Sequence, residues 1–328
     1  MLINPSLVLF LICVLTSTTI ILSSPSLLFR WVALELNTLA FIPLILYRNN
    51  KTSRESAIKY FLTQAFASVI LLIGTIFPLD SYLNQTLIVI RILIKLGAAP
   101  FHSWLPSIVE ALTWRSLFLL LTIQKINPLL ILLNPQPSLQ FIYLPVWFSL
   151  IVGSFVGLIQ TQLRSLLTYS SINHIGWLLV AWINSSYLLL VYYLTYLIMV
   201  LPLTILFNKT NCSNLNHLTN LPASTKTQFL TFILLLSLGG LPPFFGFLPK
   251  WIIIQEILFM RDSLETCFLI ILTSLITLYF YLRITFSAFI LSNSKWITLS
   301  VSPKLNTSLT FLMASSLSIL GLSLAFII

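Results

Sequence analysis

Residues 95–106 read KLGAAPFHSWLP, and residues 238–250 read LGGLPPFFGFLPK. Each stretch interrupts a long apolar segment with glycine and proline, and a lysine stands beside each, Lys95 in the first and Lys250 in the second. Inside a membrane such a break frees backbone groups that lipid cannot satisfy, so it must be buried in protein or line a polar cavity. Matching breaks in two halves of a chain indicate a transporter built from internal repeats. The sequence therefore predicts an ion-conducting membrane subunit, with the proton as the expected ion.

The composition excludes a water-soluble globule. Hydrophobic residues make up 58% of the 328 residues, charged residues only 7%, and the mean hydropathy is +1.01. Soluble domains carry roughly 25% charged residues. The net charge of +10 comes without a basic run, and most of the charges stand at the ends of apolar segments. Basic residues at the ends of apolar segments are typical of a membrane protein, whose orientation they set. They give no support to a nucleic-acid partner.

The apolar segments predict an all-α, polytopic membrane protein of about eleven transmembrane helices. The predicted spans are 3–22, 26–47, 57–79, 84–112, 114–133, 141–162, 164–184, 186–207, 227–258, 265–291 and 306–327. The broken spans are the fourth and the ninth, and their sequences pair Gly97 with Gly239. We therefore expect a five-helix unit over 1–135, a second over 136–292, and a C-terminal loop and helix over 293–328. Because five is odd, the second unit is expected to be inverted relative to the first.

The loop charges predict an orientation. Loops after even-numbered spans contain nine lysines and arginines, whereas loops after odd-numbered spans contain two. Basic residues concentrate on the cytoplasmic or matrix side of a membrane. The N-terminus is therefore expected on that side and the C-terminus on the opposite side.

Eight charged residues lie inside apolar segments, where each costs roughly 2.5–3.5 kcal/mol on insertion scales. They are Glu35, Lys59, Arg91, Lys95, Lys125, Lys250, Glu256 and Arg283. Such residues face the interior of a bundle, pair with one another and mark ion paths. A Glu–Lys pair can change the proton affinity of the lysine when its partner moves.

Glu35, Lys95, Lys125, His174 and Lys250 form the predicted proton relay. Glu35 and Lys125 lie near the centres of the second and fifth spans, and His174 lies about 15 Å along its helix from Arg164. The alternatives are a protonated or packing role for Glu35, a hydrogen-bonded core role for His174, and a Lys250 that snorkels to the membrane interface.

The remaining charges and motifs carry less information. Arg91 is interpreted as an orienting or interfacial residue, and Lys59, Glu256 and Arg283 have no assigned role. The sequence contains no GxGxxG, P-loop or CxxC motif, so no nucleotide or metal cofactor is expected in this chain. Its three cysteines are expected to be packing residues. The N-terminus shows neither a cleavable signal peptide nor a transit peptide.

Six stretches resemble the antiporter-like membrane subunits of respiratory complex I (NADH–ubiquinone oxidoreductase of mitochondria). They are Glu35–Leu44, Lys59–Ala65, Lys95–Pro106, Gln124–Lys125, Thr161–Trp177 and Leu236–Trp251. The resemblance implies two inverted five-helix units with equivalent broken helices. It makes Glu35 the family's membrane glutamate, Lys125 its central lysine, and Lys95 and Lys250 its broken-helix lysines. The seventh span offers only His174 in place of a glutamate, which argues against two symmetric channels.

The resemblance also implies a setting. NADH, FMN, iron–sulfur clusters and ubiquinone would belong to partner subunits, with other membrane subunits of complex I and the lipid bilayer as partners in the inner mitochondrial membrane. Two alternatives stay open, a stand-alone or multisubunit cation/proton antiporter and a scaffold whose charges only dock neighbouring subunits.

Overall fold

The computed structural model describes residues 5–48, 50–76, 81–133, 139–215, 225–260 and 264–292. Nearly all of these residues are helical, and the described part contains no β-strand, only one isolated bridge between Gln162 and Asn214. The helices are α1 Pro5–Ser23, α2 Leu27–Ile45, α3 Lys51–Ile76, α4 Ser81–Leu96, α5 Trp104–Val109, α6 Trp114–Leu121, α7 Ile123–Leu132, α8 Leu139–Ile159, α9 Leu163–Asn184, α10 Ser186–Thr210, α11 Thr225–Gly239, α12 Phe247–Met260 and α13 Leu264–Ser292, with a 3-10 turn at Leu46–Arg48. The predicted all-α fold is confirmed.

The helix lengths fit a multi-pass membrane protein. Within the described ranges, eight helical segments are long and apolar enough to cross a membrane. The predicted broken spans correspond to α4 with α5 and to α11 with α12, and they are expected to add two more crossings. The eleventh predicted helix, with the whole C-terminal segment 293–328, lies outside the described residues.

Contacts divide the chain into two compact units, Met1–Ser149 and Leu150–Ile328. This division falls inside α8, later than the boundary at 135/136 that the repeat suggests. The assignment of 1–135 and 136–292 to two inverted five-helix units stays a prediction.

In the first unit, α7 packs against α1, α2 and α4. Buried polar groups join these helices. Asn127 Nδ2 on α7 donates to Ser17 Oγ on α1 at 3.0 Å. An aromatic cluster links α2, α3 and α5. The ring centroid of Tyr60 lies 5.2 Å from that of Phe41 and 6.1 Å from that of Trp104. Side chains beside the first break are thus fixed by three neighbouring helices.

The second unit has α9 as its most enclosed helix, packed against α10 and α12. Almost every residue from Leu163 to Ala181 is buried. A helix surrounded by protein can carry polar side chains that lipid would reject, and α9 has several of them in its buried middle. Gly153 of α8 permits one close approach, because a Cβ there would lie 2.5 Å from the backbone nitrogen of Asn173.

Both breaks end their first helix in the same way. The Ala98 N–H donates to the Leu93 carbonyl and the Gly97 N–H to the Ile94 carbonyl. This pair of bonds is a Schellman motif, which requires a left-handed residue that glycine adopts at least cost. Gly97 has φ +72°.

The second break repeats this motif at Gly240. The Leu241 N–H donates to the Leu236 carbonyl, the Gly240 N–H donates to the Ser237 carbonyl, and Gly240 has φ +83°. The structural partner of Gly97 is therefore Gly240, and the pairing with Gly239 made from the sequence is wrong by one residue. The following helices keep this register, since α5 begins at Trp104 and α12 at Phe247.

The fifth predicted span contains a break that the sequence did not reveal. Helix α6 ends at Leu121 and α7 begins at Ile123, because Thr122 adopts φ −117° and ψ −82°. Lys125 consequently lies in the first turn of α7 and not midway along a continuous helix. Pro128 lacks an N–H, so it also leaves the Gln124 carbonyl without its helical donor.

Candidate proton-transfer sites

A small cavity in the first unit, lined by apolar and polar side chains, has two of the predicted lysines in its wall. It is lined by Leu34, Asn37, Thr38, Tyr60, Gln64, Lys95, Leu96, Trp104, Leu105, Leu120, Gln124, Lys125 and Pro128. The cavity volume is about 20 Å³. One water molecule needs about 10–15 Å³ of such volume, together with two to four polar partners. The cavity therefore has room and hydrogen-bonding groups for one or two water molecules between Lys95 and Lys125.

Lys95 reaches this cavity from the last turn of α4. Its side chain is 7% exposed, and its Nζ has no hydrogen-bond partner in the described part of the chain. The carbonyl end of a helix carries a partial negative charge that favours a cation. The Trp104 Nε1–H donates to the Ile94 carbonyl at 3.1 Å and so ties α5 to the end of α4 beside the lysine.

Lys125 reaches the same cavity from α7 and is 3% exposed. Its backbone N–H donates to the Thr122 carbonyl at 2.8 Å, across the break between α6 and α7. Thr122 and Pro128 flank it with irregular backbone, which in a membrane occurs where it is buried or lines a polar space. The break therefore supplies polar groups beside the buried ammonium group.

An amide pair connects the glutamate helix to the Lys125 helix. Asn37 Nδ2 donates to Gln124 Oε1 at 2.8 Å, and Gln124 Nε2 donates to Asn37 Oδ1 at 3.1 Å. The Tyr60 hydroxyl also donates to Gln124 Oε1, at 3.2 Å. Asn37, Gln124 and Tyr60 all line the cavity. These hydrogen bonds therefore fix the positions of three lining side chains.

Glu35 lies close enough to interact electrostatically with Lys95 and with Tyr60. The residue is half-buried, and its Oε2 is buried without a hydrogen-bond partner among the described residues. The structure therefore brings Glu35, Lys95 and Lys125 together in one unit.

Arg91 is fully buried, with 0% exposure, one helical turn before Lys95. Helices α3 and α7 both pack against α4, and the orienting or interfacial role interpreted from the sequence for Arg91 stays a prediction. Its Nε and both terminal nitrogens lack hydrogen-bond partners among the described residues.

Lys250 belongs to the second unit and is 6% exposed. Its Nζ donates to the Gly239 carbonyl at 2.9 Å and to the Leu238 carbonyl at 3.4 Å. Helical bonds to these two carbonyls would come from residues 242 and 243, and both are proline. The ammonium group therefore caps the end of α11, and the alternative that Lys250 snorkels to an interface is wrong in this structure.

His174 lies on α9 in the same unit and is 4% exposed. Its Nδ1 is 2.8 Å from the Tyr192 hydroxyl of α10. The Tyr192 ring stacks on Trp177 with centroids 6.0 Å apart, and Lys250 Nζ lies 5.6 Å from the centre of the Trp177 ring. His174 and Lys250 are thus linked through the side chains of Tyr192 and Trp177.

The other candidate charges lie apart from these groups. Lys59 is exposed and Glu256 is half-buried. The exposed Arg283 donates from Nη2 to the Leu158 carbonyl at 3.0 Å and so caps the end of α8. In the described ranges, no group of three or more His, Cys, Asp or Glu side chains is placed to hold a metal ion.

Sequence reasoning missed Asn37, Tyr60, Gln124 and Tyr192 as site residues. Two of them had a usable signal, because Asn37 follows Glu35 by two residues and Gln124 directly precedes Lys125. Tyr60 and Tyr192 carry no such signal, since a tyrosine in an apolar helix is indistinguishable from a packing residue until its hydroxyl partner is known.

Together, these features define a multi-pass membrane protein with buried cations at two broken helices. The family described as "NADH:quinone oxidoreductase/Mrp antiporter, TM" matches residues 24–80 and 77–278. NADH-ubiquinone oxidoreductase chain 2 of Anopheles gambiae is 42% identical over 301 residues, covering 87% of this chain and 86% of the relative. The same protein of Aedes aegypti is 40% identical and covers 95% of both chains.

Solved structures agree on the fold. A chain of respiratory complex I from Thermus thermophilus superposes with a TM-score of 0.83 at 23% identity, covering 98% of this chain and 78% of that chain. A chain of the Mrp complex from Dietzia gives a TM-score of 0.70 at 17% identity, covering 84% of this chain and 59% of that one. This chain belongs to the NADH-ubiquinone oxidoreductase chain 2 family, within the wider family of quinone oxidoreductase and Mrp antiporter membrane subunits.

Proposed function

We propose that this chain is a proton-translocating membrane subunit of NADH:ubiquinone oxidoreductase, and that it couples redox chemistry in other subunits to proton movement. The observation that carries the proposal is the water-sized cavity whose wall contains both Lys95 and Lys125. Buried ionisable groups in membrane helices are expensive, and a water-sized space between two of them suits proton transfer better than static packing.

The proposed roles divide between the units. In the first unit, Glu35 acts on Lys95 electrostatically, and protons pass by way of water between Lys95 and Lys125. In the second unit, His174 and Lys250 carry protons. Each transfer would be gated by strengthening or weakening an electrostatic pair, because a nearby opposite charge stabilises the protonated form of a lysine.

The proposed setting follows the family. NADH, FMN, iron–sulfur clusters and ubiquinone would be bound by partner subunits, and other membrane subunits of complex I would surround this chain in the lipid bilayer. We place it in the inner mitochondrial membrane with its N-terminus on the matrix side and its C-terminus facing the intermembrane space, as the loop charges indicate.

The test removes charges one at a time in the assembled complex. Glu35→Gln and Lys125→Met should each lower the number of protons moved per electron, measured in sealed vesicles with NADH as donor. Leu36→Met, an exposed position beside Glu35, serves as a control that should change nothing. Unchanged proton-to-electron stoichiometry in both charge variants would contradict the relay.

A cation/proton antiporter is the second candidate, and the likeness to the Mrp complex chain favours it. It predicts cation-dependent proton exchange by the purified chain alone in vesicles. Co-purification with flavin and iron–sulfur subunits, without such exchange, supports the complex I assignment. A third possibility, a docking scaffold, predicts that neutral residues at Lys95 and Lys125 impair assembly only.

A further inference from the structure

Arg91 is a buried cation to which the proposed relay gives no role. Its side chain is 0% exposed, and none of its three guanidinium nitrogens has a hydrogen-bond partner among the described residues. Arginine stays protonated in proteins, and an unpaired buried charge costs several kcal/mol. A residue kept for packing or hydrogen bonding would not be expected in this state.

The position of Arg91 relates it to Lys95. The two residues are four apart on α4, so their side chains lie on neighbouring positions of one helix face, with Cβ atoms about 5–6 Å apart. Both side chains are buried, so the positive charge of Arg91 repels a positive charge on Lys95 with little screening by solvent.

The other titratable groups near Lys95 lie on the neighbouring helices. Helix α3 contributes the Tyr60 hydroxyl and α7 contributes Lys125, both on the wall of the same cavity. Helix α5, tied to α4 by the Trp104 bond, contains no titratable side chain. Glu35 on α2 is the acidic residue near Lys95, and Arg91 adds a positive charge that, unlike that of Lys125, does not titrate.

We infer that Arg91 is a positioning residue for proton transfer, whose permanent charge repels the proton on Lys95 so that Lys95 can release it. The inference rests on the proposed function, since it assumes that Lys95 carries a proton during turnover. Without Arg91 this repulsion would be absent and Lys95 would hold its proton more tightly, so proton translocation would require a higher pH.

The experiment compares Arg91→Met, Arg91→Gln and Arg91→Lys in the assembled complex. The readout is the rate of NADH-driven proton translocation in vesicles as a function of pH. Arg91→Met and Arg91→Gln should move the profile to higher pH by about one unit, the scale of two charges about 6 Å apart at an effective dielectric constant between protein and water. Arg91→Lys should keep the wild-type profile, and Arg115→Met, which removes an exposed arginine, is the control.

Assembly and the pH profile together decide the role of Arg91. An unmoved profile in assembled Arg91→Met and Arg91→Gln complexes would overturn the inference, and so would failure of both variants to assemble, because Arg91 would then be needed for folding. Lys95→Met separates this result from the proposed function. Loss of pumping in Lys95→Met with an unmoved Arg91 profile refutes only the inference, whereas full pumping in Lys95→Met refutes the relay itself.

Discussion

The two broken helices share one backbone design and use their lysines differently. Both first helices end in a Schellman motif with a left-handed glycine, at Gly97 and at Gly240. Lys95 precedes its glycine and lines a cavity, with no hydrogen-bond partner for its ammonium group among the described residues. Lys250 follows its glycine by ten residues and returns to cap the carbonyl end of α11.

This difference indicates that a buried lysine can serve the fold, as Lys250 does, or be placed for proton transfer, as we propose for Lys95. In both breaks the lysine meets the negative end of a helix, which stabilises positive charge. Lys250 is engaged by two carbonyl oxygens, and a neutral amine would still donate to them. Lys95 has no such engagement, so its proton is available to water in the cavity. The first break is therefore suited to rapid exchange, and the second requires its lysine for its fold as well.

Replacing the two lysines tests this comparison with the largest expected effect. Lys250→Met leaves the Leu238 and Gly239 carbonyls buried and unpaired, at about 1–3 kcal/mol each, so the assembled complex should melt at lower temperature. Lys95→Met removes no hydrogen bond and should keep the wild-type melting temperature while proton translocation falls at least about tenfold, which corresponds to about 1.4 kcal/mol in the barrier. Lys250→Arg keeps donors and serves as the control.

The reverse pattern would refute the comparison. If Lys95→Met destabilised the complex and Lys250→Met did not, Lys95 would have the structural role. Thermal unfolding and proton translocation are therefore measured on the same preparations.

Glycine substitutions test which glycine of the second break corresponds to Gly97. Gly240→Ala places a side chain in the left-handed region, at about 1–2 kcal/mol, and sets its Cβ 3.0 Å from Lys250 Nζ. Gly239→Ala puts the new Cβ in ordinary contact with Tyr281 at 3.4 Å. We expect a lower melting temperature for Gly240→Ala and for Gly97→Ala, with Gly239→Ala near wild type. A larger loss of stability for Gly239→Ala than for Gly240→Ala would contradict the pairing of Gly97 with Gly240.

The smallest expected effect concerns the link between His174 and the aromatic side chains near Lys250. Tyr192→Phe keeps the ring that stacks on Trp177 and removes the hydroxyl that contacts His174 Nδ1. One such bond contributes about 1 kcal/mol, so proton translocation should fall up to about fivefold with little loss of stability. Tyr187→Phe, an exposed position on the same helix, is the control. A wild-type rate in Tyr192→Phe would exclude its hydroxyl from the transfer step.

Apolar periodicity and proline placement were enough to predict most of the fold. Long apolar runs mark the helices, and Gly/Pro stretches mark the two breaks, because a backbone that crosses a membrane can satisfy its hydrogen bonds in few ways other than a helix. The break at Thr122 escaped prediction, since threonine, glutamine and lysine all occur inside regular helices. The exact partner of Gly97 escaped as well, because two adjacent glycines look alike until their φ angles are known.

The candidate sites were predicted by residue type and not by contact. Charges inside apolar segments identified Glu35, Lys95, Lys125 and Lys250, as an energetic argument can do from the sequence alone. The amide pair of Asn37 and Gln124 joins residues 87 positions apart, and no local pattern encodes such a contact. The burial of Arg91 likewise depends on which face of α4 its neighbours cover.

If Lys95 and Lys125 exchange protons through a hydrated cavity, a high-resolution density map of this chain within its assembled complex should show the water. We expect at least one ordered water between the two ammonium groups, within hydrogen-bonding distance of Lys95 Nζ. A dry, filled space, or lysine side chains turned from the cavity toward lipid, would contradict it.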